Sequence, residues 1–137
     1  MAKTFRLSSH AANASADATC ALANGGFLRL YTGRQPADAD KPVSSGHTLL
    51  GELRFGSPAY ISANGGTAEA RPIYSEASAK AKGTARWFRE FMADGVTAVC
   101  DGSIDRSGAD LNLSTVDIEE GMTISISALP YTQPRRK

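Results

Sequence analysis

Gly83-Thr84-Ala85-Arg86-Trp87-Phe88-Arg89-Glu90-Phe91-Met92 runs through Ala93-Asp94-Gly95 into Val96-Thr97-Ala98-Val99-Cys100-Asp101-Gly102, and its reading decides the fold. Two apolar, aromatic or β-branched runs joined through Asp-Gly predict a β-hairpin, because that pair supplies the positive-φ turn twisted strands require. A helix from Ser75 to Met92 competes, since Ala77, Ala79, Lys80, Ala81, Lys82 and Arg86 all tolerate one. Gly83 and Thr84 interrupt that helix and the Asp-Gly turn suits strands better, so strand is preferred from about Thr84.

Moving outward, a period of two recurs. Phe27 to Thr32 reads as a strand ended by Gly33 and the turn-prone Gln35-Pro36-Ala37-Asp38. Residues 33 to 47, rich in Gly, Pro, Asp and Ser, read as a long surface loop. In Thr48 to Phe55, the odd positions Leu49, Gly51, Leu53 and Phe55 can face a core while Glu52 and Arg54 face water. Asn64-Gly65-Gly66 is a tight-turn signal between short segments near Tyr60-Ile61 and Thr67-Ala70, and Leu111-Asn112-Leu113 is another short run. Gly121 to Leu129 is the cleanest alternation, with Met122, Ile124, Ile126 and Ala128 inward and Thr123, Ser125 and Ser127 outward, ended by Pro130. Ser15 to Asn24 is alanine-rich and predicts one short helix, capped by Ser15 or Asp17 and stopped by Asn24-Gly25-Gly26. The expected fold is therefore mainly β, an antiparallel sandwich or jelly-roll-like barrel with one short N-terminal helix. It divides into an N-terminal arm (1–15), a single β domain (16–130) and a basic C-terminal tail (131–137).

The 137 residues suit one domain, and the 42% hydrophobic and 21% charged composition is that of a globular chain. A formal net charge of +1 provides no field to gather nucleic acid or an anionic membrane. The one basic cluster, Arg135-Arg136-Lys137, reads as a solvated tail or as an arm that touches a phosphate or an acidic partner surface. No stretch approaches the ~20 apolar residues of a membrane-spanning helix, and Met1 to His10 lacks the apolar run of a signal peptide.

Catalytic, metal and cofactor residues are not expected anywhere in the chain. Cys20 and Cys100 lie far apart, form no Cys-x-x-Cys pattern and read as unpaired. His10 and His47 both sit among serines, with no Gly-x-Ser-x-Gly elbow to present a nucleophile. Asp101, Asp105 and Asp110 fall four and five apart with Arg106 among them, which departs from the closer carboxylate spacing of a calcium loop, and they read as turn residues. Glu119-Glu120 lies in a loop, and nothing indicates the cleft a glycosidase pair needs. Neither Gly25-Gly26 nor Gly65-Gly66 continues into a phosphate-binding loop. Arg86-Trp87-Phe88-Arg89 could stack on a nucleic-acid strand, but aromatics in a strand read more readily as core, with the arginines on the opposite or rim face.

Several stretches together resemble a known group. Ala21 to Pro36, Leu49 to Pro58, Gly83 to Arg89 and Gly108 to Leu113 are similar in spacing and turn chemistry to small virion proteins encoded near the capsid genes of tailed bacteriophages. The likeness extends from about Ala21 to Leu129. It implies a capsid cement or decoration protein with a jelly-roll-like fold, assembled in the host cytoplasm, whose partners are the major capsid protein, other virion subunits and copies of itself. It transfers no catalytic residue. The alternative is a tail, collar or baseplate β module that binds a glycan or receptor through Tyr60 or Trp87.

Overall fold

The computed structural model describes residues 4–75 and 78–133 and shows a mainly β protein with one short helix. Helix α1 (Ser9–Ala21) leads into β1 (Phe27–Tyr31) and β2 (Leu49–Arg54); β3 (Thr67–Glu69), β4 (Gly83–Thr84), β5 (Trp87–Phe91) and β6 (Ala98–Asp105) follow. The short strands β7 (Leu111–Asn112), β8 (Asp117–Ile118) and β9 (Pro130–Thr132) complete the chain. Five strands form a mixed sheet in the order β2-β1-β5-β6-β7, antiparallel except at β6–β7, with the pairs β3–β9 and β4–β8 beside it. A curled sandwich or half-barrel results, which agrees with the expected class.

The deciding hairpin is present: β5 pairs antiparallel with β6, joining Trp87 to Ser103 and Arg89 to Asp101. Its connection is wider than a two-residue turn. Asp94 accepts from the backbone of Val96 (2.8 Å) and Thr97 (2.9 Å), and Gly95 takes φ 71°. The strand expected from Thr84 breaks in two, because Ala85 N–H donates to Val116 (2.8 Å) while Arg86 N–H donates to Tyr31 (2.9 Å). The chain changes sheet between those two residues. The Asn64-Gly65-Gly66 turn forms as expected, with both glycines at positive φ and Asn64 paired to Thr67.

Three expectations require correction. The helix starts at Ser9, not near Ser15, because Ser8 is its N-cap and accepts from Ala11 N–H (3.1 Å); the stretch read as an arm is therefore helical from Ser9 onward. Asp17 caps nothing in the helix: it reaches across to Ala63 N–H (2.7 Å), as Asn13 does to Gly66 N–H (2.7 Å), so both dock the helix on the β3 turn. In β2 the inward set differs, because the register shifts opposite Leu30/Tyr31 and turns Leu50 fully inward beside Leu53 and Phe55. The third concerns Gly121 to Leu129, which forms no strand of the named sheets. Its side chains alternate as read, with Ile124 buried and Thr123 and Ser125 exposed, but the phase slips at Ala128, which is exposed, while Leu129 is buried. Side-chain alternation reports which face is covered and does not ensure a ladder partner. Tyr131 and Thr132 belong to β9, and Arg135, Arg136 and Lys137 lie outside the described residues.

The core collects Leu28, Leu30, Leu50, Leu53, Phe55, Phe88, Ile104, Leu111 and Leu129 on the inner face of the sheet. Helix α1 closes it with a stripe of small buried residues, Ala12, Ala16 and Cys20, one per turn. Gly102 leaves the space that the Phe88 ring fills: a Cβ there would lie 2.4 Å from two ring carbons. Gly102→Ala is accordingly expected to cost about 1–3 kcal/mol in urea denaturation. Gly46→Ala, where the added carbon meets only Ser44 Oγ at 3.7 Å, should stay within about 0.5 kcal/mol of the parent.

Candidate functional site

All five residues of β5 are buried, so this strand carries side chains into covered space on both faces. On one face Trp87, Arg89 and Phe91 lie opposite Tyr31, Arg29 and Phe27 of β1. Trp87 stacks on Tyr31 (4.6 Å between centroids) and donates Nε1–H to the Thr32 carbonyl (3.1 Å). Arg89 binds both oxygens of Asp101 (2.5 and 2.8 Å) and donates to the Lys41 carbonyl (2.7 Å). Its neighbour Arg29 pairs with Glu52 (2.7 Å), donates to Gly95 O (3.0 Å) and lies over the Phe91 ring at 4.4 Å. The loop 33–47 covers the Trp87 end of this face.

The opposite face of β5 carries Phe88 and Glu90 into the core. Glu90 is 3% exposed, accepts from Tyr60 Oη–H at 2.8 Å, and is also hydrogen-bonded by the Cys100 thiol, its cross-strand partner. Burial pushes its carboxyl up to about 7, against the two hydrogen bonds that favour the charged form. Burial together with the charge of Glu90 drives the Cys100 thiol and the Tyr60 hydroxyl upward, and pushes the Cys20 thiol up to about 12. These thiols are held neutral, opposite to what a nucleophilic cysteine requires. Cys20 and Tyr60 also line a groove of about 230 Å³ between the C-terminal half of α1 and the segment 58–62.

The structure separates the residues singled out by sequence. His10 lies exposed on α1. His47 is half-buried as a latch: its ring packs edge-on against Trp87 (4.9 Å), Nδ1 accepts from Ser44 N–H (3.1 Å), and Nε2 sits 2.8 Å from the Arg34 carbonyl. With Nε2 donating to that carbonyl, Nδ1 is the accepting nitrogen, shared between Ser44 N–H and the Ser44 hydroxyl 3.4 Å away. Asp101 is committed to Arg89, Asp105 accepts from Arg106 N–H (2.7 Å), and Asp110 accepts from Ser103 N–H (2.9 Å), so the three carboxylates do not converge. Glu119 forms an exposed pair with Lys82 (3.8 Å). Among the described residues no three His, Cys, Asp or Glu side chains converge on one point. Cys20 and Cys100 are both free thiols. Trp87 is fully buried and Tyr60 is 7% exposed, so neither ring forms a platform for a sugar. Arg89 lies on the same face as Trp87, correcting its expected placement opposite or at the rim.

Glu90 was not singled out by sequence, although a signal existed. If Phe88 faces the core, the period of two puts Glu90 there as well. Its consequence for stability follows from linkage. The folded-state value lies above the ordinary one, so the unfolded chain releases its proton first as pH rises. Stability should fall between about pH 4.5 and 7, by about 3 kcal/mol, and remain lower above that range. In urea titrations at pH 5 and pH 8, Glu90→Gln is expected to shrink the gap between the two by at least half. Asp101→Ala should cost about 3–5 kcal/mol by leaving a buried guanidinium unpaired, and adding Arg89→Met should restore at least half of that. Comparison of the chain with family models, with curated proteins and with solved structures finds no match.

Proposed function

We propose that the chain is a non-enzymatic structural protein of a tailed-bacteriophage virion, of the head decoration or cement kind. It docks on the capsid lattice and stabilises it through many repeated contacts. The resemblance of its turn-rich segments to such proteins supports this, and one structural observation carries it. The backbone of Gly66 is bracketed by both ends of the domain: its N–H donates to Asn13 of α1 (2.7 Å) and its carbonyl accepts from Gln133 N–H (2.8 Å). Asn13 in the first half of α1 and Gln133 just after β9 therefore meet at the β3 turn. A surface formed where the helix and the last strand come together can present more than one contact to a neighbour, and linked contacts raise effective concentration without new chemistry.

The buried groups fit this role. Arg89, Glu90 and Asp101 hold the domain together rather than facing a substrate. A glycan or receptor module remains the alternative reading, but Trp87 and Tyr60, the rings it would use, face inward. The test is co-sedimentation of the purified protein with virus heads that lack it, followed by hydrogen exchange of the free and bound protein. Binding with added protection in residues 4–8 and 130–133 is the expected outcome. Failure to sediment with the heads, or unchanged exchange in both segments, overturns the proposal.

A further inference from the structure

The loop 33–47 begins and ends at one place on the sheet. Thr32 N–H donates to the Thr48 carbonyl (3.1 Å) and Thr48 N–H donates to Thr32 Oγ1 (2.9 Å), so its two stems lie side by side. Gly33, at φ 84°, permits their close approach: a Cβ there would lie 2.9 Å from the Gly46 carbonyl oxygen and 3.1 Å from His47 Cδ2. The His47 ring spans this base. Its Nε2 lies 2.8 Å from the Arg34 carbonyl on the outgoing stem, and its Nδ1 lies 3.1 Å from Ser44 N–H on the returning one. Only a neutral imidazole makes both contacts, because Nε2 must donate while Nδ1 accepts; a doubly protonated ring would turn an N–H toward Ser44 N–H. The edge of the same ring rests on Trp87 (4.9 Å between centroids), which is fully buried.

We infer that His47 is a proton-sensitive clasp, which holds the base of the loop 33–47 shut over Trp87 when neutral and releases it when protonated. The charged groups around this stack do not compensate an imidazolium. On the loop, Asp38 accepts from Asp40 N–H (2.9 Å), while Arg34 and Lys41 are cations. From β1 comes Tyr31, stacked on Trp87, with a hydroxyl that burial pushes upward and so keeps neutral. From β5 comes Arg89, its guanidinium 5.3 Å from the Trp87 ring. The carboxylates of the flanking strands are already taken, Asp101 by Arg89 and Glu52 by Arg29. Lys41 keeps its carbonyl on Arg89 (2.7 Å), a bond in which no group titrates near neutral pH. The tip of the loop therefore stays fastened, and the opening lies at the base, beside Trp87. The clasp is shut above the histidine range and opens as pH falls through it, which is the reverse of the destabilisation that Glu90 brings as pH rises. It operates within one copy of the chain and is independent of placement on a virion.

Trp87 is the chain's single tryptophan, so its emission reads the base of the loop directly. The rate constant for acrylamide quenching, taken from fluorescence lifetimes so that quenching by the imidazolium itself is separated from access, is the measurement. It should rise about threefold between roughly pH 7.5 and pH 5, the range in which histidine side chains take up a proton. In His47→Gln, which has no titrating ring, the constant should be equal at the two pH values, whether the loop is then held or open. Hydrogen exchange of the unaltered chain, corrected for its intrinsic pH dependence, should show protection lost in acid at residues 44–48 and kept in β5 and β6. An unchanged quenching constant in the parent chain, a rise that persists in His47→Gln, or protection lost through the whole sheet overturns the inference.

Discussion

Arg29 and Arg89 face each other directly across β1 and β5, an arrangement that is destabilising unless each charge has its own partner. The flanking strands provide one apiece: Glu52 of β2 binds Arg29 and Asp101 of β6 binds Arg89, giving a row of four strands charged minus, plus, plus, minus. Phe91 and Trp87 take up guanidinium faces at 4.4 and 5.3 Å. A slip of one residue in any pairing would turn a charge to the opposite face and leave its partner buried alone. The central register, the bulge that admits Leu50 and the position of the covering loop all depend on this row. Lys41 offers its carbonyl to Arg89 and His47 packs on Trp87, so the loop 33–47 is fastened to the same interaction.

The inner face is governed by Glu90, one residue further along the strand. A carboxyl placed among Leu28, Phe88 and Cys100 loses its hydration and is kept tolerable by Tyr60 and the Cys100 thiol. Strand β5 thus carries one ionisable group to each face. The two are handled differently: on one side a charge met by an opposite charge, on the other an acid held nearer its neutral form. Tyr60 links the second arrangement to the groove, because the ring that lines the groove also bonds Glu90.

Chemistry that sequence left open to His47 or the acidic residues is used internally, while the surface keeps apolar features near the helix: Phe5, Leu22 and Ile61. Gly66 is held by Asn13 of α1 on its N–H and by Gln133 after β9 on its carbonyl, which ties the helix and the last strand to the β3 turn.

The sequence by itself determined the mainly β class, the hairpin through Asp94-Gly95 and the Asn64-Gly65-Gly66 turn. Each follows from local backbone preference and a period of two, and these act over a few residues. It also showed that a helix would lie near the start, but placed its cap at Ser15 or Asp17, whereas the helix begins after Ser8 and its Asn13 and Asp17 side chains dock on the β3 turn. Only the tertiary structure decided which alternating runs become strands. Gly121 to Leu129 has the pattern without the ladder, since a ladder requires a neighbouring backbone at the right distance. The same holds for the interior charges. Arg89 read locally as an opposite-face or rim residue and Glu90 was not singled out, and both are buried because β5 lies between β1 and β6 with both faces covered, a circumstance set by pairings far apart in the chain.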